Sequence, residues 1–236
     1  AVDLDGAGGQ EIVVADRQGS VWAFTGGLDE FLDRDDHAET LEPLASGLRA
    51  NVAVDWLLPA AAGDVDGDGA PEIVIASTDG LYAFEADGSA VRDLGAADHG
   101  LYADVAGCSQ AVVLLPTEAE SLRGDPAARV TAVIAWARDG ACGLEFRGGA
   151  DGDLEREITL GAGHVTSVPQ VFGTWLLVCV ADTVADSGRL AVIDLAAEPL
   201  PSTPEVVEVS LRGVPGPWPA MAGFVTGTGG AFRRSS

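Results

Sequence analysis

Lysine is absent from this sequence, and all 13 of its basic residues are arginine. Set against 37 acidic residues, they leave a formal charge of −24. A chain so negative repels phosphate backbones and anionic lipid, which argues against nucleic acid and membrane surfaces as partners. Cysteine is scarce. Cys108, Cys142 and Cys179 follow no metal-binding spacing, and an odd count leaves at least one thiol unpaired in a monomer. Cys142 and Cys179 fall in or beside apolar runs, where a thiol acts as a small core residue. No apolar run reaches the roughly 18 residues that a membrane-spanning helix needs. Signatures of catalysis are missing too. His37, His99 and His164 are isolated, and there is neither a Gly-x-Ser-x-Gly elbow nor a phosphate loop. His37 directly follows the acidic run Asp33–Asp36, which reads as a solvated loop. No leader segment is visible; the sequence opens inside a motif, Ala1-Val2-Asp3-Leu4-Asp5-Gly6, as a mature or trimmed product would.

What the chain has is acid and glycine at regular places. The 236 residues include 31 glycines, many in short turn signals, and are enough for one sizeable core or two small ones. The central stretch is Gly63-Asp64-Val65-Asp66-Gly67-Asp68-Gly69-Ala70-Pro71-Glu72, running into Ile73-Val74-Ile75-Ala76. Carboxylates alternate at Asp64, Asp66 and Asp68, Glu72 follows, and glycines permit a tight fold of backbone around a centre. Calcium takes six to eight oxygens from carboxylates, carbonyls and water. The expected set is the side chains of Asp64, Asp66, Asp68 and Glu72 with the carbonyl of Ala70. This is not an EF-hand, because a strand-like run follows and the twelfth loop position is Ile75. The same residue types also favour turns that hold no ion.

Residues 3–11 align on this loop. Asp3, Asp5 and Glu11 match Asp64, Asp66 and Glu72, while Ala7 replaces Asp68. Asp3, Asp5, Gly9 and Glu11 are therefore weaker metal candidates, one carboxylate short. Each loop precedes a hairpin pattern: 12–15 then 20–24, and 73–76 then 81–84. Glu11 to Glu72 and Ile73 to Ile134 share a spacing of 61 residues. A third hairpin, 133–136 with 141–146, and a fourth, 175–180 with 189–195, keep the strands and lose the acids. The segment 170–174 reads as the fourth unit's loop. A faint fifth loop covers 222–229, with its glycines kept and its aspartates replaced. Further short strands are expected at 50–58, 59–63, 111–115, 157–160, 165–171 and 205–211, and one helical turn within 117–122.

Repeats of this length with about four short strands each suit the blades of a β-propeller. The expected fold is all-β, with four-stranded antiparallel blades at 1–58, 59–110, 111–160 and 161–212 and partial or closing strands at 213–232. The set forms an incomplete ring, a fragment of a larger propeller, or a small ring closed by residues 221–225. A two-layer sandwich is the competitor. The loop and its hairpin resemble the FG-GAP/VCBS repeat family, which includes the calcium-binding blades of integrin α-subunit propellers. Asp64, Asp66, Gly67, Asp68, Gly69 and Glu72 carry its pattern in full; Asp3, Asp5, Gly6, Gly8 and Glu11 carry it in part. The strong likeness covers 1–30 and 59–88.

That resemblance implies a non-enzymatic module, extracellular or on the cell surface, that recognises a protein or a carbohydrate. The alternative is a carbohydrate-active enzyme, a polysaccharide lyase or glycoside hydrolase, on the same scaffold. Hydrolysis of a glycoside needs two carboxylates across a cleft, and 37 acids offer too many pairs for sequence to choose. Trp22, Trp136 and Trp175 sit in apolar runs and read as packing residues. Trp56 and Trp218 lie beside loops and are the rings available to a sugar.

Overall fold

The computed structural model describes residues 3–4, 10–15, 20–24, 45–46, 60–77, 80–92, 100–109, 112–116, 130–182, 187–195 and 205–207. Every regular element among them is a β-strand. No helix among them is long and apolar enough to cross a membrane.

The strands form four antiparallel sheets, taken in chain order. The first holds β1 (Ile12–Ala15), β2 (Ser20–Phe24) and β3 (Ala45–Ser46). The second holds β4 (Ala61–Gly63), β5 (Glu72–Ser77), β6 (Gly80–Phe84) and β7 (Leu101–Asp104). The third holds β8 (Val113–Pro116), β9 (Val130–Arg138), β10 (Ala141–Gly148) and β11 (Asp153–Ala162). The fourth holds β12 (His164–Val165), β13 (Gln170–Phe172), β14 (Trp175–Asp182), β15 (Ser187–Asp194) and β16 (Glu205–Val207). Sheets two and three are simple meanders, each strand bonded to the next. In sheet four β12 and β13 pair with the same edge of β14. They are one strand interrupted at 166–169, where the Ser167 hydroxyl accepts from the Cys179 amide at 3.1 Å. Pro169 lies in that break and has no N–H to give a ladder.

Local chemistry sets the turns. Asp139 and Gly140 link Arg138 to Ala141 with φ of 52° and 78°, the left-handed pair that a two-residue hairpin requires. Gly143 is needed for a different reason. A Cβ there would lie 2.4 Å from Cζ2 of Trp136 and 2.5 Å from the Ile158 carbonyl oxygen, so the indole rests on bare backbone.

The sheets pack face to face in the order of the chain. Ile73 and Ile75 of β5 join Val21 and Ala23 of sheet one. Val74 and Ala76, one residue out of step, join Ala132, Ile134 and Trp136 of β9. Val133 and Ala135 of β9 then join Leu176, Val178 and Val180 of β14. Sheets two and three are thus covered on both faces, which is why β5 and the middle of β9 read as continuous apolar runs. Three cores between four sheets is not a two-layer sandwich. Among the described residues the end sheets are covered on one face. Ile12 and Val14 of sheet one are 40% and 45% exposed, and Phe172 and Trp175 of sheet four 59% and 37%.

Several expectations change. Residues 170–174 are not the fourth unit's loop: 170–172 form β13, and a two-residue turn at Gly173 and Thr174 leads to β14. The strand expected over 165–171 is divided by the break just described. Trp175 faces solvent, since its side of β14 carries no covering sheet among the described residues, whereas Trp136 is buried. β7 was not expected. Its place is fixed by pairing with β6 across a register shift at Leu81 and Tyr82. The strand expected at 50–58, the helical turn within 117–122, Trp56, Trp218 and the closing segment 213–232 lie outside the described residues.

Candidate metal centre

The acidic loop connects β4 to β5, so the hairpin register holds both of its ends. Gly63 pairs with Glu72 across the mouth of the loop. Between them the chain turns through Gly67 and Gly69 at φ of 91° and 95°, values that favour glycine. Each aspartate ties down backbone ahead of it. Asp64 accepts from the Gly67 amide at 2.6 Å and from the Gly69 amide at 3.1 Å. Asp66 accepts from Asp68 at 3.0 Å, and Asp68 from Ala70 at 2.7 Å. The loop is wound inward by its own acids.

The result brings together the four predicted carboxylates. One oxygen from each of Asp64, Asp66, Asp68 and Glu72 lies within 4.8 Å of all the others. Oxygens around calcium stand at about 2.4 Å, so a coordination sphere is about 4.8 Å across. The donor set is all oxygen, as a hard divalent cation prefers. Burial falls from buried Asp64 through half-buried Asp66 to exposed Asp68 and returns at Glu72, which is buried. An ion seated here would be held from the protein side and open to water on the other.

Glu72 is the informative member. It is fully buried. Its Oε2 accepts from the Val65 amide at 2.6 Å, while its buried Oε1 has no hydrogen-bond partner. Burial pushes its carboxyl up to about 8, and the negative charges of Asp66, Glu85 and Asp64 add to the rise against the Val65 amide. Leaving a buried carboxylate oxygen without a partner costs free energy. Glu145, the buried acid of β10, shows how the fold treats a carboxylate that it pairs. It accepts from Arg147 at 2.6 Å and from Arg138 at 3.0 Å, and Arg138 also lies 4.2 Å over the Trp136 ring. Glu72 has no such cation among the described residues. A metal ion in the ring of carboxylates would supply one.

The sequence reading missed Glu85. Its carboxyl is raised chiefly by burial, then by Asp66, Asp68 and Asp87. The signal was present in the hairpin pattern: the ladder ends at Ile73 and Phe84, and Glu72 and Glu85 are the next residue on each side. Like charges across a ladder are unfavourable unless something separates them.

The first loop repeats one part of this design. Glu11 is buried, and its Oε2 accepts from the Leu4 amide at 2.8 Å, the counterpart of Glu72 with Val65. Asp3 is half-buried. Asp5 and Gly9 lie outside the described residues, so the first candidate set is seen only at its two ends. No disulfide joins the three cysteines: Cys108 and Cys142 are buried and Cys179 is half-buried. No protein-family model matches the chain, and no curated protein matches it either.

Proposed function

We propose that this protein is a non-enzymatic β-propeller module of the FG-GAP/VCBS kind, stabilised by calcium and serving recognition of a protein or glycan at the cell surface or outside the cell. The observation that carries the metal reading is the buried, unpartnered Oε1 of Glu72 inside a ring of four carboxylates. Asp64, Asp66, Asp68 and Glu72 would hold the ion, with the carbonyl of Ala70. The ion would supply positive charge to a loop that otherwise carries only negative charge. Its role is structural, because anything that binds only the folded state stabilises that state.

The propeller arrangement is supported by the stacking of four antiparallel sheets in chain order, each interior sheet covered on both faces. It is also supported by the apolar outward faces of sheets one and four, which suit further neighbours. The recognition role rests on the resemblance of residues 64–72 and 3–11 to the calcium-binding repeats.

Thermal unfolding in chelator and in calcium tests the reading. At about a hundred times its dissociation constant, calcium would add about 2.7 kcal/mol, or roughly 5–10 °C for a chain of this size. Asp66→Ala should erase the shift. An unmoved wild-type transition, or an equal shift in the variant, refutes it.

A further inference from the structure

The acidic loop bonds to the next sheet as well as to itself. The Val130 amide, at the start of β9, donates to the Asp64 carbonyl at 2.7 Å. The Gly149 amide, in the turn after β10, donates to the Val65 carbonyl at 3.0 Å. The Tyr102 hydroxyl, reaching out from β7, lies between the Gly149 carbonyl, to which it donates closely, and the Val65 carbonyl, 3.4 Å away. Tyr102 is fully buried. The approach is tight on the turn's side as well: a Cβ on Gly152 would lie 2.4 Å from the Tyr102 carbonyl oxygen.

One dipeptide therefore serves two structures. On its inner side, Asp64 lends its carboxylate to the acidic ring and the Val65 amide fixes Glu72. On its outer side, the two carbonyls of Asp64 and Val65 hold sheet three. The Val65 amide and the Asp64 carbonyl are the two ends of one planar peptide, so the bond from Val65 to Glu72 and the bond from Val130 to Asp64 orient the same rigid unit.

We propose that cation binding at residues 64–72 and the docking of sheet three onto sheet two are one coupled equilibrium, with Tyr102 and the 149–152 turn as the elements that position the loop. The proposal rests on the metal reading above. The ion's affinity is set partly by the neighbouring sheet, and the ion in turn tightens that sheet's attachment. Coupling of this kind is reciprocal.

Amide hydrogen exchange resolved by NMR, on the full chain with and without calcium, tests it. The loop amides of Gly67, Gly69 and Ala70 report the ion itself. Those of Val130 and Gly149 report the joint. Protection rising at both groups, with the Gly149 gain lost in Tyr102→Phe, supports the coupling. The same variant should bind calcium about threefold to tenfold more weakly, the worth of one hydrogen bond. Protection confined to the loop overturns the coupling and leaves the metal site standing. Wild-type affinity and an intact Gly149 response in Tyr102→Phe overturn the role given to Tyr102. No response at either group, and no binding heat, removes the metal reading and the coupling together.

Discussion

Replacing Glu72 by glutamine should change the protein's stability in opposite directions with and without calcium. The side chain keeps its shape, and its carbonyl oxygen can still accept from the Val65 amide at the site where Oε2 now does so at 2.6 Å. What is lost is the charge. In the calcium-free fold Glu72 is held near 8, against an ordinary value of 4.5. A carboxyl raised on folding binds its proton more tightly in the native state. Its penalty is therefore absent below the ordinary value, grows as pH climbs through the window between the two, and levels off above the upper one. At about 1.4 kcal/mol per pH unit, the full penalty is on the order of 3 to 5 kcal/mol. In chelator at high pH, Glu72→Gln should unfold at a higher temperature than wild type. The advantage should fade as the pH is lowered toward about 5. In saturating calcium the order should reverse, because glutamine removes a charged ligand. Thermal unfolding of both proteins across that pH range, with chelator and with calcium, reads the result. If the variant is less stable in chelator at high pH, the argument that Glu72 is a strained acid awaiting a cation is wrong. The same holds if calcium does not invert the order.

Two further outcomes follow. Calcium binding at neutral pH should expel a proton, since Glu72 is protonated in the ion-free fold and must ionise to bind; titration calorimetry in two buffers of different ionisation heat should show up to about one proton released, declining as pH rises past about 8. Gly143→Ala should destabilise by about 1 to 3 kcal/mol through overpacking, because its new methyl would meet the Trp136 ring and the Ile158 carbonyl. Denaturant unfolding with the indole fluorescence as probe measures that, and an unchanged midpoint would contradict the contact.

The sequence showed most where two signals agreed. β5 and β9 were legible because strands buried on both faces are apolar at every step, and the turn at Asp139 and Gly140 because few other pairs adopt its backbone. The acidic loop was legible because its spacing of carboxylates and glycines serves one geometry. β11 was only half visible. Its first residues, Asp153 to Glu157, lie mostly exposed on the edge of sheet three, where charge discourages further pairing and hides the strand from an apolar pattern. β7 was invisible because four residues hold too little periodicity, and its pairing is decided by the sheet. Glu85 escaped because it stands outside the loop in sequence, one residue past β6, and acts on Glu72 through its charge alone. Tyr102 escaped for the same reason at greater range, since its hydroxyl meets a carbonyl 37 residues away.

β5 has no outside. Along its six residues, all buried, odd-numbered and even-numbered positions answer to different neighbours: Ile73 and Ile75 to the sheet before, Val74 and Ala76 to the sheet after. A methylene trimmed from Ile75 loosens one seam, while a change at Val74 loosens the other. Two adjacent codons thus address separate joints of the molecule. The strand that leaves the acidic loop is the place where either joint can be weakened alone and the effect on the other measured.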